Sequence, residues 1–176
     1  MDLYLIVTIT SPDRPGIVDA ISDAVIAHGA NWETSRMVRL GGVFAGIIQL
    51  KVDRSRADEL RNTLSGLSDE NTTVLVNASD QADPYEGFLP LKLMLTSADH
   101  EGIVHSFAHF LAEQGVNVDE LDTSVSNAPL GGGPLFNAVF DLKCPPGLDF
   151  AALEEKLQDL ASSEAVDVKL EKKVTK

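Results

Sequence analysis

Two short segments of the chain, residues 13–18 (DRPGIV) and 99–104 (DHEGIV), have residue types that could bind a small zwitterion. The first segment follows a predicted strand and opens a predicted helix. The first amides of a helix have no intrahelical partner and carry partial positive charge, so the backbone of Gly16, Ile17 and Val18 could bind a carboxylate. Gly16 has no side chain to obstruct a ligand, and Asp13 could face an ammonium group.

An asparagine follows each segment at the start of the next predicted strand. Asn31 can both donate and accept hydrogen bonds, as a zwitterion requires. An offset of 86 positions carries Asn31 onto Asn117 and residues 13–18 onto 99–104. The second segment departs from the first because His100 and Glu101 replace an arginine and a proline. Glu101 adds negative charge beside the expected carboxylate, which disfavours binding there.

The same residues also have an interpretation that needs no ligand. Asp13 is a good N-cap, Pro15 suits a first helical turn, and Gly16 would allow close packing. Asn31 would then do no more than end the helix after Gly29. The residue types alone leave both interpretations open.

The elements that position these residues follow from hydrophobic periodicity. Residues 3–10 alternate as a strand, and an amphipathic helix runs from Asp13 to a stop at Gly29. Strands Asn31–Leu40 and Val43–Val52 flank Gly41-Gly42, where both glycines can adopt the positive φ of a two-residue hairpin. A second helix is marked by Ala57, Leu60, Leu64 and Leu67, and residues 72–76 form a last strand.

The second half of the chain repeats this βαββαβ order. Its first strand is marked by Leu89, Leu91, Leu93 and Leu95, its last by Val166, Val168 and Leu170. The pattern predicts an α+β protein of two tandem ferredoxin-like domains, each an antiparallel sheet with both helices on one face. We expect a first domain over residues 1–79, a linker over 80–88 and a second domain over 89–176.

The sheet face without helices is expected to differ between the copies. In the first it carries apolar side chains, and in the second polar ones. The first face is therefore either a packing surface or a place of scattered surface hydrophobes. The residues concerned are Tyr4, Ile6, Val43, Ala45 and Ile47 in the first copy, and Lys92, Asn137, Asp141 and Lys143 in the second.

Composition excludes several classes of function. The net charge of −13, from 27 acidic and 14 basic residues, disfavours nucleic acid and anionic membranes as partners. The single cysteine, Cys144, excludes an internal disulfide and a CxxC site. No apolar run is long enough to cross a bilayer, and a cytoplasmic location is the default expectation.

No catalytic residue, cofactor or metal is predicted. The sequence contains no GxSxG and no phosphate-binding glycine loop, and Cys144 alternates with core residues as a small hydrophobe. His105 and His109 have helical metal-site spacing, but no acidic residue lies between them, so we interpret them as exposed polar side chains. We expect a non-enzymatic protein.

The DRPGIV segment followed by Gly29-Ala30-Asn31 resembles the signature of ACT domains, which are regulatory modules that typically bind amino acids. The second copy is a looser match. Two such domains without a catalytic or DNA-binding domain resemble the family of glycine cleavage system transcriptional repressors. The ligand-binding residues that this resemblance implies, between the loop and a neighbouring domain, are Asp13, Arg14, Pro15, Gly16, Ile17, Val18 and Asn31, with Asp99, His100, Gly102, Ile103, Val104 and Asn117.

The resemblance also implies partners. A repressor of this family would bind a small amino acid, with glycine as the relieving signal, and act through a protein partner such as a transcriptional activator. A homodimer is expected. The rival interpretation is a structural or interaction module that serves as a regulatory subunit of an enzyme of amino-acid metabolism.

Overall fold

A computed structural model of the protein describes residues 2–79, 83–127 and 133–173. The chain divides into two compact units, Met1–Ala82 and Asp83–Lys176. The predicted linker lies partly outside the described residues, and the next strand begins at Leu89.

The first unit has the predicted βαββαβ order. Its strands are β1 (Asp2–Pro12), β2 (Asn31–Leu40), β3 (Val43–Asp53) and β4 (Thr73–Ser79), and its helices are α1 (Ile17–Ala27) and α2 (Ala57–Ser65). The sheet has the strand order β2-β3-β1-β4, and all neighbouring strands are antiparallel.

The second unit repeats the same fold. Its strands are β5 (Leu89–Ala98), β6 (Asn117–Asn127), β7 (Pro134–Cys144) and β8 (Asp167–Lys172), and its helices are α3 (Ile103–Glu113) and α4 (Phe150–Glu164). The strand order is β6-β7-β5-β8, the counterpart of the first sheet. The predicted α+β class, with two tandem ferredoxin-like sheets, is confirmed.

Each unit has its own apolar core between one face of the sheet and both helices. In the first unit, alternate residues of β1 are buried together with helical residues, because a strand directs every second side chain to the same face. The second core has the same construction around two phenylalanines. The largest fully buried side chains are Leu5, Ile9, Ile21, Ile48, Leu50, Leu60 and Leu64 in the first unit, and Leu93, Leu95, Phe107, Leu111 and Phe140 in the second.

The predicted turn and helix-end glycines are confirmed. Gly41 and Gly42 have φ of 59° and 84°, as the two-residue hairpin between β2 and β3 requires. Gly29 has a φ of 63° after α1, and Ala30 N–H donates to the carbonyl of Val25 at 3.0 Å. This bond pattern is a Schellman helix end, and it directs the chain from the helix into β2.

The predicted N-cap of α1 was wrong. Helix α1 begins at Ile17, its N-cap is Gly16, and no side chain caps it. Pro15 therefore precedes the helix and does not form its first turn. The reason is the left-handed conformation of Gly16, with φ of 91°, which places Asp13 three residues upstream of the cap. Gly102 has the same role before α3, with φ of 96°.

The open sheet faces, opposite the helices, differ between the units as the alternation predicts. In the first unit Val43 and Ile47 are each 48% exposed and Leu75 is 57% exposed. In the second unit the open face carries an ionic pair between Lys173 Nζ and Asp141 Oδ2 at 2.6 Å. The first open face thus exposes large apolar side chains, and its ion pair between Lys51 and Asp2 lies at the end of the sheet far from Val43.

Candidate functional site

The turn between β1 and α1 leaves helix amides free of capping side chains. The first bond of α1 is donated by Ala20 N–H to the carbonyl of Gly16 at 3.0 Å. The amides of Ile17, Val18 and Asp19 precede that bond, and no side chain caps the helix. In the second unit Ser106 N–H donates to the Gly102 carbonyl at 2.9 Å. Both helix N-termini thus have the partial positive charge that attracts an anion.

Open space surrounds the two glycine caps. A Cβ atom added at Gly16 or at Gly102 would meet no heavy atom within 4 Å. Close packing therefore does not explain either glycine, and the ligand-free interpretation of Gly16 as a packing residue was wrong. The positive φ explains both, because side chains other than glycine rarely adopt it. A ligand could approach the backbone at both positions.

The predicted isoleucines offer only their backbone to a ligand. Ile17 is 6% exposed and Ile103 is 2% exposed, and both side chains belong to the cores. The valines that follow have their side chains at the surface, since Val18 is 44% exposed and Val104 is 36% exposed. A substitution at either valine can therefore alter the environment of the free amides without changing the core.

Asp13 is held by the hairpin between β2 and β3. Its N–H donates to the carbonyl of Gly42 at 2.9 Å. Its Oδ2 lies 3.6 Å from Arg39 Nε, and both side chains are substantially exposed. Arg39 was missed by sequence reasoning as a cation beside the loop. The hairpin register contained the signal, since Arg39 lies just before the Gly41-Gly42 turn, and Val43, just after the turn, pairs with Pro12 at the end of β1.

The second loop is tied to helix α4 instead. His100 places Nε2 at 3.3 Å from the carbonyl oxygen of Glu164 and Nδ1 at 3.1 Å from that of Glu101. Ser106 Oγ donates to Glu164 Oε1 at 2.9 Å. The counterpart of Arg39 by strand register is Val125, which pairs with Phe136 as Arg39 pairs with Phe44. This loop therefore has more negative charge nearby, and it lacks the arginine of the first.

Within a unit, the predicted asparagine and the predicted loop lie at opposite ends of the sheet. Asn31 pairs with Lys51, whereas the loop follows Pro12, which pairs with Val43. The ten residues of β2 span about 30 Å at roughly 3.3 Å per residue. Asn117 is placed in the same way, opposite Lys143 at the far end of the second sheet. A single unit therefore does not bring the predicted ligand-binding residues together.

Asn31 borders a small polar cavity of its own. Asp2, Glu33 and Lys51 line this space of about 340 Å³ together with Asn31. Asn31 Nδ2 donates to Glu33 Oε1 at 2.6 Å, and Lys51 Nζ lies 3.0 Å from Asp2 Oδ2. The hydrogen bond with Asp2 raises the pKa of Lys51. The cavity thus offers both an ammonium group and carboxylates to a polar ligand.

The other titratable groups singled out in the sequence form no reactive cluster. No group of three or more potential metal ligands occurs among the residues that the structure describes. The rings of His105 and His109 stack with centroids 5.8 Å apart, and His109 Nε2 lies 3.4 Å from Glu113 Oε1 on the same helix. Burial raises the pKa of Cys144 to about 11, so its thiol is protonated and unreactive near neutral pH.

None of the helices in the described ranges combines the length and apolar character needed to cross a bilayer. The longest helix of either unit, α4, has 15 residues and several charged side chains. This agrees with the sequence, which contains no apolar run of the required length.

Two repeats of the ferredoxin-like fold, each with a glycine-capped helix after its first strand, resemble a tandem of ACT domains. The family model of the ACT domain matches residues 3–76, so the first unit is an ACT domain. The second unit, outside the matched residues, has the same element order and sheet topology.

Known proteins extend this resemblance over nearly the whole chain. The chain is 24% identical over 160 residues to the glycine cleavage system transcriptional repressor of Escherichia coli (strain K12), covering 90% of this chain and 84% of that protein. The predicted resemblance to this repressor family is confirmed.

Two solved structures share the complete fold. An unknown protein from Galdieria sulphuraria superposes with a TM-score of 0.82 at 28% identity, covering 99% of this chain and 100% of that one. A protein provisionally described as a glycine cleavage system transcriptional repressor gives a TM-score of 0.72 at 19% identity, with 99% of both chains covered. The fold of each unit is thus one that solved proteins share.

Proposed function

We propose that this protein is a non-enzymatic, cytoplasmic regulator that binds a small amino acid, glycine in the first instance, and controls transcription through a protein partner. The similarity to the glycine cleavage system transcriptional repressor of Escherichia coli supports this choice. The net charge of −13 favours a protein partner over direct contact with DNA.

The observation that carries the proposal is the uncapped start of α1. Gly16 caps the helix without a side chain, and open space surrounds it, so the amides of Ile17 and Val18 can receive a carboxylate. Asp13 supplies a negative charge for the ammonium group, and Arg39 beside it neutralises part of that charge. A ligand as small as glycine needs no side-chain pocket here.

The first loop is the stronger of the two candidates. The second loop has the same uncapped glycine, Gly102, but Glu101 directly precedes it, and the Glu164 carboxylate accepts a hydrogen bond from Ser106 in the first turn of α3. Carboxylates near an anion site weaken anion binding by direct repulsion. We therefore assign the amino acid to residues 13–18 and treat residues 99–104 as a weaker site or a structural copy.

A second domain must complete the site. Because Asn31 lies about 30 Å from the loop of its own unit, it can contact a ligand only at a loop supplied from elsewhere. We propose a homodimer, in which a second copy of the chain presents its loop near Asn31 and its polar cavity. The ligand would then favour the dimer by its higher affinity for the assembled site.

Titration calorimetry with glycine, alanine and serine tests the proposal, and Val18 provides matched variants. V18E places a carboxylate beside the free amides and stabilises the helix N-terminus, so the domain remains folded. V18Q has nearly the same shape without the charge. We expect glycine affinity to fall roughly tenfold or more in V18E and to change little in V18Q. No heat with any common amino acid at millimolar concentration would refute the proposal.

The partner is tested by co-purification from cell extract with and without glycine. A transcriptional activator retained by the protein and released by glycine is the expected result. The apolar open face of the first unit favours one alternative function, a regulatory subunit that docks on an enzyme of amino-acid metabolism. Retention of such an enzyme, in place of an activator, would establish that alternative.

A further inference from the structure

The second unit contains a largely apolar cavity at the end of its sheet, where β5 begins and β7 ends. Its volume is about 380 Å³, within the range of roughly 300–1,000 Å³ that is usual for small-molecule sites. Leu91 and Cys144, which are 4% and 1% exposed, line the cavity together with the partly exposed Leu148 and Phe150. Such a lining can accommodate a hydrocarbon group but not a strongly hydrated one.

Two lysines also line this cavity, and only one of them is neutralised. Lys173 Nζ lies 2.6 Å from Asp141 Oδ2 and forms an ion pair. Lys172 Nζ lies 5.3 Å from the centroid of the Phe150 ring, above its face. Among the ion pairs that the described residues form, none includes Lys172. An ammonium group therefore stands beside an apolar cavity, on a chain whose net charge is −13.

The internal repeat indicates that the fold does not require a lysine at position 172 or a phenylalanine at position 150. By strand register Lys172 corresponds to Ala78, since Lys172 pairs with Leu91 as Ala78 pairs with Leu5. An offset of 93 positions carries Ala57 onto Phe150 in the corresponding helix. The first unit thus builds the same sheet and helices with alanine at both positions. The cation and the aromatic wall are additions in the second unit.

We propose that this cavity is a binding site for an amphipathic monoanion, with an apolar body among Leu91, Leu148 and Phe150 and a carboxylate at Lys172. A free amino acid is a poor occupant, because its ammonium group would face the lysines. The site also lies far from the second loop: the cavity is at the start of β5 and the loop follows its end, about 30 Å away over ten residues.

Octanoate and octylammonium, which share a chain length and differ in the sign of the charge, are the probes of this proposal. Calorimetric titration of the full chain should detect octanoate binding at millimolar concentration and no comparable binding of octylammonium. Equal affinities would show non-specific hydrophobic association and overturn the proposal. Absence of octanoate binding would overturn it as well.

Two variants, K172M and L89W, locate the bound octanoate. K172M keeps the apolar stem and removes the charge, and we expect about fivefold weaker octanoate binding. K169M is the matched control, since it removes the same charge three residues earlier, where Lys169 pairs with Glu171 at 2.6 Å. L89W enlarges a cavity-lining side chain that is already 54% exposed, and it should reduce binding by steric exclusion. Octanoate affinity unchanged in both K172M and L89W would overturn the assignment.

Discussion

The backbone N–H of Asp13 donates to the carbonyl of Gly42 at 2.9 Å, and this bond fixes the candidate loop to the β2–β3 hairpin. The second unit has the counterpart bond, from Asp99 N–H to the carbonyl of Pro134 at 3.1 Å. The bond with Gly42 holds Asp13 beside the hairpin, three residues before the Gly16 cap, and its carboxylate does not cap the helix. The amides of α1 therefore remain available to a ligand.

The conformation of Gly16 should be sensitive to substitution. We expect G16A to lower the free energy of unfolding by about 1–2 kcal/mol, since alanine is strained at a φ of 91°. G16N should lose less stability although its side chain is larger, because asparagine tolerates positive φ better and open space surrounds the position. Urea unfolding measures both. A larger loss in G16N would show that steric exclusion, not backbone conformation, requires glycine here.

Asn31 should affect ligand affinity without affecting folding. Its side chain is exposed, and within the described residues its Nδ2 donates to Glu33 Oε1 at 2.6 Å, so N31A should leave the urea midpoint almost unchanged. We expect glycine affinity to fall roughly tenfold, the usual effect of losing a hydrogen bond to a charged group.

Asn77 provides the matched control for that experiment. It is an exposed asparagine on β4, at the other edge of the same sheet. N77A should bind glycine with unchanged affinity. If N31A and N77A behave alike, Asn31 does not belong to the amino-acid site.

Much of the fold follows from local sequence. Alternation in β1 and the Gly41-Gly42 pair predict the strand and hairpin, because side-chain direction and positive φ are properties of a few neighbouring residues. The cap of α1 could not be predicted in this way. Asp13 has the residue type of an N-cap, but its backbone bond with Gly42 depends on the register between β1 and β3, which is a tertiary feature.

The position of Asn31 could have been predicted from topology. A helix that follows β1 must run back along the sheet, so the strand after it begins at the far end from the loop. The apolar cavity of the second unit could not be predicted, because it depends on how Leu148 and Phe150 pack around the strand ends. Composition and periodicity do not specify such packing.

Alkaline pH should destabilise the second unit through Cys144. Burial raises the pKa of this thiol from 9.0 to about 11 in the folded protein. Below pH 9 the thiol is protonated in both the folded and the unfolded state, and its contribution to the free energy of unfolding is fully present. Between pH 9 and 11 the thiol ionises only in the unfolded state, so the free energy of unfolding falls. The loss should approach about 1 kcal/mol per pH unit over this window.

The variant C144A isolates this effect. The cavity that it leaves lowers the free energy of unfolding by an amount that does not depend on pH. The variant has no thiol, so its stability lacks the pH dependence that Cys144 gives to wild type. The difference in unfolding free energy between wild type and C144A should therefore narrow as the pH rises from 9 to 11. A constant difference across the window would show that Cys144 does not titrate differently in the two states.

The end of helix α4 offers a stabilising substitution. Ala165 adopts a φ of 54° at the C-terminal cap, where glycine is the preferred residue. We expect A165G to raise the free energy of unfolding by about 0.5–1 kcal/mol, because it relieves the strain of a left-handed alanine. A152G, an exposed alanine within the same helix, should instead lower stability by about the same amount. Urea midpoints of the two variants on the same side of wild type would contradict this explanation.

The apolar open face of the first unit should support self-association. Ile47 is 48% exposed and lies with Val43 and Leu75 on the part of the open face away from the Lys51–Asp2 ion pair. I47K should shift the chain from dimer to monomer in sedimentation equilibrium, because a buried lysine would be desolvated at the interface. V139K changes the corresponding position of the charged second face, where Val139 pairs with Met94 as Ile47 pairs with Thr8. It should remain dimeric; a monomer in V139K and a dimer in I47K would assign the interface to the second unit.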